Sequence, residues 1–239
     1  MHYNFTLKNA KTLRVHYTRE GKGAPLVLLH GWGQNLSMMR FISDHFKSRF
    51  EVVNIDLPGF GESEEPPVSW DIQAYAQFLR QLLELFHLSN PSIVAHSFGA
   101  RIALYYASMY PVNKLCLTGA AGIKKPRNIA YYGKVYLYKF LKHFKKQVSM
   151  GSSDFQNASD TMRGVLVKSV EEDLRVLLKQ ISCETLLVWG ENDEATPLWM
   201  GEVMEKEMMN ATLIVLEHDD HFAYFHQPQR FIAILEYFL

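Results

Sequence analysis

Ser92-Ile93-Val94-Ala95-His96-Ser97-Phe98-Gly99-Ala100 is the stretch whose reading decides the fold. Ser92–Ala95 reads as a buried strand, and Ala100–Met109 as an apolar helix. Between them, Ser97 has a small residue two positions before it and another two after it. A tight strand–turn–helix lifts the central residue clear of the sheet in a strained conformation, and only small side chains fit at the flanking positions. Ala95 and Gly99 meet that demand. The same turn sets the Phe98 N–H at a helix start, where it can face an anion.

Working outward, short apolar runs alternate with longer amphipathic ones. Phe5–Leu7, Leu13–Tyr17, Leu26–Leu29, Val52–Ile55, Leu115–Thr118, Thr185–Trp189 and Leu213–Leu216 read as further strands. Ser37–Phe46, Ile72–Phe86 and Phe231–Leu239 read as helices. In the second of these, Ile72, Tyr75, Ala76, Leu79, Leu82, Leu83 and Phe86 fall at helical spacing. Strand–helix alternation predicts an α/β fold: a mostly parallel central sheet with helices on both faces, binding its ligand at the carboxyl ends of the strands. Residues 122–181 interrupt the pattern with helical stretches at Asn128–Val148, Ser159–Lys168 and Glu171–Lys179. They are expected to form a small helical lid, leaving 1–121 and 182–239 as the core.

Composition removes several function classes. Lys+Arg and Asp+Glu are both 25, so no charge excess points to nucleic acid. No apolar run approaches the roughly 18 residues of a membrane span. The opening residues lack a basic region leading into an apolar one. Cys116 and Cys183 lie in or beside apolar runs and read as reduced core residues. These features point to the cytosol. The balanced total hides an uneven distribution: between Glu84 and Asp154 there is no acidic residue, while 10 Lys and Arg fall there. Lys134, Lys142, Lys145 and Lys146 lie mostly away from an apolar stripe on the same expected helix. They read as a solvated basic face, or as a dock for an acidic acyl carrier.

A serine hydroxyl needs a base, and the base needs an orienting acid. The loop after Thr185–Trp189 supplies Glu191, Asp193 and Glu194; Asp193 is favoured and the two glutamates stay open. The loop after Leu213–Leu216 supplies His218 and His221, with His226 beyond; His221 is the expected base. His218, Asp219, Asp220 and His221 also form a cluster, but without the helical spacing of a metal pair, and no metal or cofactor is expected. His30-Gly31-Trp32-Gly33 follows a buried strand, so the Trp32 N–H is the expected oxyanion partner of the Phe98 N–H. His30 reads as a brace. Gly31-Trp32-Gly33 and Gly59-Phe60-Gly61 each lack the third glycine of a dinucleotide fingerprint.

Together, His30-Gly31-Trp32-Gly33, Asp56-Leu57-Pro58-Gly59-Phe60-Gly61-Glu62-Ser63, the turn at Ser97, Trp189-Gly190-Glu191-Asn192-Asp193 with Pro197, and His221-Phe222 with Gln227-Pro228 resemble the α/β-hydrolase superfamily. The resemblance runs from about Pro25 to the C-terminus, and the order Ser, Asp, His is the family's. It implies the α/β-hydrolase fold and a serine hydrolase, most simply a carboxylic ester hydrolase of small to medium substrates. Thioesters, carrier-linked esters, carbon–carbon bonds and ligand sensing are other uses of the same fold. Two departures stand out. Ala95 stands where relatives often have Gly. His218 and Asp220 stand where relatives often read Gly-x-Gly-His, so the loop before His221 is expected to take a different shape.

Overall fold

The structure is a computed structural model that describes residues 1–6, 12–124 and 153–239. Eight strands form one sheet: β1 (His2–Thr6), β2 (Thr12–Glu20), β3 (Ala24–Leu29), β4 (Phe50–Ile55), β5 (Ser92–His96), β6 (Lys114–Thr118), β7 (Glu184–Gly190) and β8 (Ala211–Leu216). Their spatial order is β1-β2-β4-β3-β5-β6-β7-β8. β2 runs antiparallel to both β1 and β4; every later pairing is parallel.

The unbroken apolar runs have a direct cause. Side chains alternate across a strand, and here both faces are covered. Val27, Leu29, Ile93, Ala95, Leu115, Leu117, Leu187 and Trp189 enter one core. Leu26, Leu28, Val94, Cys116, Leu186 and Val188 enter the other. On the first face pack α2 (Ile72–Leu85), α3 (Phe98–Met109) and α6 (Trp199–Glu207). On the second pack α1 (Arg40–Phe46), α7 (Ala223–His226) and α8 (Pro228–Phe238). Burying a Leu, Ile or Phe stabilises by about 1.5–3 kcal/mol before entropy is charged against it.

Several boundaries differ from the sequence reading. Leu36–Met39 is a 3₁₀ turn leading into α1, and Asn35 caps it by accepting the Ser37 N–H. α3 starts at Phe98 rather than Ala100, because the helix begins directly on the turn at Ser97. α8 starts at Pro228, whose fixed φ and missing N–H suit a first helical position.

Between β6 and β7 lie α4 (Ser153–Asn157), α5 (Asp160–Glu171) and a 3₁₀ helix, Leu174–Gln180. The expected helix Glu171–Lys179 is therefore divided. Glu172 and Asp173 are extended, and Asp173 caps the new turn by accepting the Arg175 N–H. The expected helix Asn128–Val148, with Lys134, Lys142, Lys145 and Lys146, lies outside the described residues. Among the described residues no helix is long and apolar enough to cross a membrane. Both cysteines are free thiols, Cys116 buried and Cys183 half-buried.

Candidate active site

β5 delivers its chain straight into α3 through Ser97, which sits at φ +50°, ψ −105°. Such a conformation costs of order 1–3 kcal/mol and persists only where the surroundings enforce it. The Ser97 N–H is held by the Thr118 carbonyl at 3.1 Å, and the Ser97 carbonyl accepts the Ala121 N–H at 3.3 Å. A Cβ at Gly99 would lie 2.6 Å from both the Leu29 and the His30 carbonyl oxygens, so α3 passes β3 at a distance only glycine permits. The Ala95 methyl is accommodated in the first core without exposure.

The loops after β7 and β8 bring two partners to this hydroxyl. Ser97 Oγ lies 2.9 Å from His221 Nε2. His221 Nδ1 lies 2.8 Å from Asp193 Oδ2. Asp193 is buried, and its Oδ1 accepts the Thr196 N–H at 2.8 Å. Burial pushes the Asp193 carboxyl up, but the hydrogen bonds and charge of His221, with those from Thr196, outweigh it and hold the group below its ordinary value.

Thr196 was not singled out by the sequence, and it occupies the centre of this arrangement. Its buried Oγ1 lies 2.8 Å from Asp193 Oδ2, 3.0 Å from the Gly119 carbonyl and 3.2 Å from His221 Nδ1. The Asp-x-x-Thr spacing at 193–196 is the available signal, since a hydroxyl three residues after an aspartate can fold back onto it. Gly119 also makes room: at φ +49°, a Cβ there would come 3.0 Å from His221 Nδ1 and 3.2 Å from Asp193 Oδ2.

The rival residues go elsewhere. Glu191 Oε2 accepts the His218 N–H at 2.9 Å, and Glu194 is exposed. His226 Nδ1 pairs with Asp219 Oδ1 at 2.8 Å. The sequence cluster 218–221 is thereby taken apart: His221 turns to Ser97, His218 to Glu191, and Asp219 to His226. His218 adopts φ +60°, so a histidine takes the left-handed conformation in this loop.

Phe98 is the first residue of α3, where backbone N–H groups lack intrahelical acceptors. Trp32 lies within a turn closed by Gln34 N–H to the Gly31 carbonyl at 3.3 Å. The Trp32 ring meets Phe98 edge-on at 5.3 Å and Phe60 at 4.9 Å. Phe98 itself is buried, so its ring is a foundation under Trp32 rather than an open pocket wall. His30 braces the loop: its Nδ1 meets the Gly31 carbonyl at 2.8 Å and its Nε2 accepts the Leu57 N–H at 3.0 Å. Burial lowers its pKa to about 4 against the opposing pull of the Gly31 carbonyl and Asp56. His96, buried beneath His221 with ring centroids 4.7 Å apart, is held neutral in the same way.

Residues 26–234 match the model of the alpha/beta hydrolase family. The chain belongs to that family. Among the relatives of this alpha/beta hydrolase is the pimeloyl-[acyl-carrier protein] methyl ester esterase of Legionella pneumophila strain Corby, 26% identical, with 95% of this chain and 100% of that protein covered. The AB hydrolase superfamily protein YisY of Bacillus subtilis is 23% identical over 91% of this chain and 92% of its own. An esterase from Exiguobacterium antarcticum shares the fold with a TM-score of 0.78 at 23% identity, covering 99% of both chains. A bromoperoxidase from Bacillus anthracis does so with a TM-score of 0.79 at 21% identity, covering 96% of both.

Proposed function

We propose that this alpha/beta hydrolase is a cofactor-free serine hydrolase that cleaves carboxylic esters of small to medium acyl groups. The observation that carries the reading is the continuous hydrogen-bonded line Ser97–His221–Asp193, with consecutive separations of 2.9 and 2.8 Å. In this reading Ser97 Oγ attacks the acyl carbon as His221 Nε2 takes its proton. Asp193 accepts from Nδ1–H and stabilises the imidazolium. The Trp32 and Phe98 N–H groups hold the oxyanion, each worth about 10²–10³ in turnover. His221 then protonates the departing alcohol, and later takes a proton from the water that releases the acid.

A cavity of about 350 Å³ beside Trp32 is lined by Phe60, Ala158 and Met162 together with the polar Glu65, Asp154 and Ser159, so an acyl chain entering it would meet a mixed wall. Met162 belongs to α5 and reaches within contact of Gly59, which supports reading α5 as part of a cover over the strand ends.

A carrier-linked ester is the second reading. It is favoured by the acid-free stretch between Glu84 and Asp154 and by the activity for which the Legionella relative is named. A panel of p-nitrophenyl esters of graded chain length, assayed beside an acyl methyl ester carried on an acidic carrier protein, separates the two. Turnover of the free short and medium esters is expected, with stoichiometric fluorophosphonate labelling. Turnover confined to the carrier-bound ester selects the second reading, and no labelling of folded protein selects a ligand sensor.

Thr196 is a positioning residue in this scheme. Thr196→Val removes a hydroxyl that touches both acid and base, and a hydrogen bond to a charged group is worth about 1.5–3 kcal/mol. The expected result is a loss of about 10–100-fold in kcat with KM little changed, recovered in Thr196→Ser. Equal kcat in Val and wild type would remove this role.

A further inference from the structure

The antiparallel edge of the sheet carries a second group of chemistry-bearing side chains, away from Ser97. His2 on β1 and His16 on β2 are direct partners in the register. Such partners project from the same face and approach closely. Their imidazole centroids are 4.7 Å apart, with rings tilted by 33°. Glu62, in the loop after β4, brings Oε2 to 3.2 Å from His2 Nε2. One donor atom from each of His2, His16 and Glu62 lies within 4.8 Å of the other two.

The support behind these three is specific. His16 Nδ1 lies 2.7 Å from Asp56 Oδ2, and the Asp56 side chain is only 2% exposed. With Nδ1–H donated to that carboxylate, Nε2 carries the free lone pair. A buried carboxylate behind an imidazole is the arrangement that orients metal-ligating histidines and raises their basicity. Asp56 also accepts the Glu62 N–H at 2.9 Å and the Leu36 N–H at 2.6 Å. One carboxylate therefore fixes the ring of one candidate ligand and the backbone of another. Arg14, which lines the same surface depression of about 350 Å³, is turned to Glu64 and leaves Glu62 to His2.

We propose that His2, His16 and Glu62 bind a divalent transition-metal ion, zinc being the fitting one. Two imidazoles and one carboxylate are a borderline-soft set that suits zinc, whereas magnesium and calcium require oxygen donors throughout. Tetrahedral zinc with bonds of about 2.0–2.1 Å sets its donor atoms about 3.3 Å apart, and the His2–Glu62 separation is 3.2 Å. The exposed His2 and Glu62 side chains give the ion its entry, and the fourth position falls to water. The metal would fasten β1 and β2 to the loop that also carries Phe60, which packs on Trp32 and Phe98. Its role is to hold that loop, and no step at Ser97 passes through it. The competing account is two separate ion pairs, His2–Glu62 and His16–Asp56, which need protonated rings and bind no metal.

The test uses the whole chain without a polyhistidine tag, stripped with chelator and titrated with zinc chloride by calorimetry near neutral pH. One equivalent of zinc is expected to bind, raising the melting temperature, and cobalt(II) is expected to give the visible bands of a tetrahedral site. His2→Gln and Glu62→Gln should each weaken zinc binding by at least about tenfold and lose the cobalt bands, while circular dichroism shows them folded. His226→Gln, at the other place where Asp219 and Asp220 gather, should bind zinc as wild type does. Absence of saturable binding, binding that survives both His2→Gln and Glu62→Gln, or binding lost in His226→Gln overturns the proposal.

Discussion

Ser97→Ala is expected to lower ester turnover by about 10⁶-fold and to abolish fluorophosphonate labelling. The magnitude follows from what the hydroxyl does in the proposed scheme: without Oγ there is no acyl-enzyme, and His221 has nothing to deprotonate. Residual rate above water, about 10³–10⁴, should persist through the backbone donors and substrate binding. The substitution is clean on structural grounds. Ser97 is anchored by its backbone to Thr118 and Ala121, and its side chain meets His221 rather than the core. Alanine inherits the same strained φ of +50° at no greater cost than serine. Turnover of p-nitrophenyl acetate within tenfold of wild type would place the chemistry at another group.

Asp193→Asn is expected to reduce turnover by about 10⁴-fold with the fold intact. Asp193 Oδ1 accepts the Thr196 N–H, while Oδ2 faces His221 Nδ1 and Thr196 Oγ1. An amide nitrogen in the second position would meet His221 with a proton and press the imidazole into the wrong tautomer. The same variant tests a pH dependence. The Asp193 carboxyl is held below its ordinary 3.8, so the stability it contributes is full above that value and is lost as pH falls through the lower folded-state value. Acid denaturation followed by fluorescence should show a shallower loss below about pH 4 in Asp193→Asn than in wild type. Near-normal turnover would pass the acid's role to Glu191 or Glu194.

Much of this is legible in the sequence. Strands buried on both faces print as apolar runs, so Leu26–Leu29 and Thr185–Trp189 could be read directly. Ser97 could be read because the elbow demands small residues at fixed offsets. The choice among Glu191, Asp193 and Glu194 could not be forced, since three carboxylates share one loop and only its path buries Asp193. Thr196 escaped notice because its role depends on Gly119 and His221, far away in sequence. The positive φ at His218 is equally invisible, because histidine does not advertise a left-handed conformation as glycine does. The pairing of His2 with His16 follows from strand register, which composition leaves open.

The loops after β7 and β8 are stitched together: the Glu191 N–H reaches the Leu216 carbonyl at 3.0 Å and the Asn192 N–H reaches the Asp219 carbonyl at 2.8 Å. Asp193 and His221 therefore ride on one raft after β7 and the edge strand β8, while Ser97 is moored after β5, two strands in from β7 and three from β8. An outward shift of that edge would carry carboxylate and imidazole in step, against the hold of Thr196 on the Gly119 carbonyl, and widen the gap to the hydroxyl. On the proposed scheme, warming is expected to lower turnover by separating His221 from Ser97 before it separates His221 from Asp193.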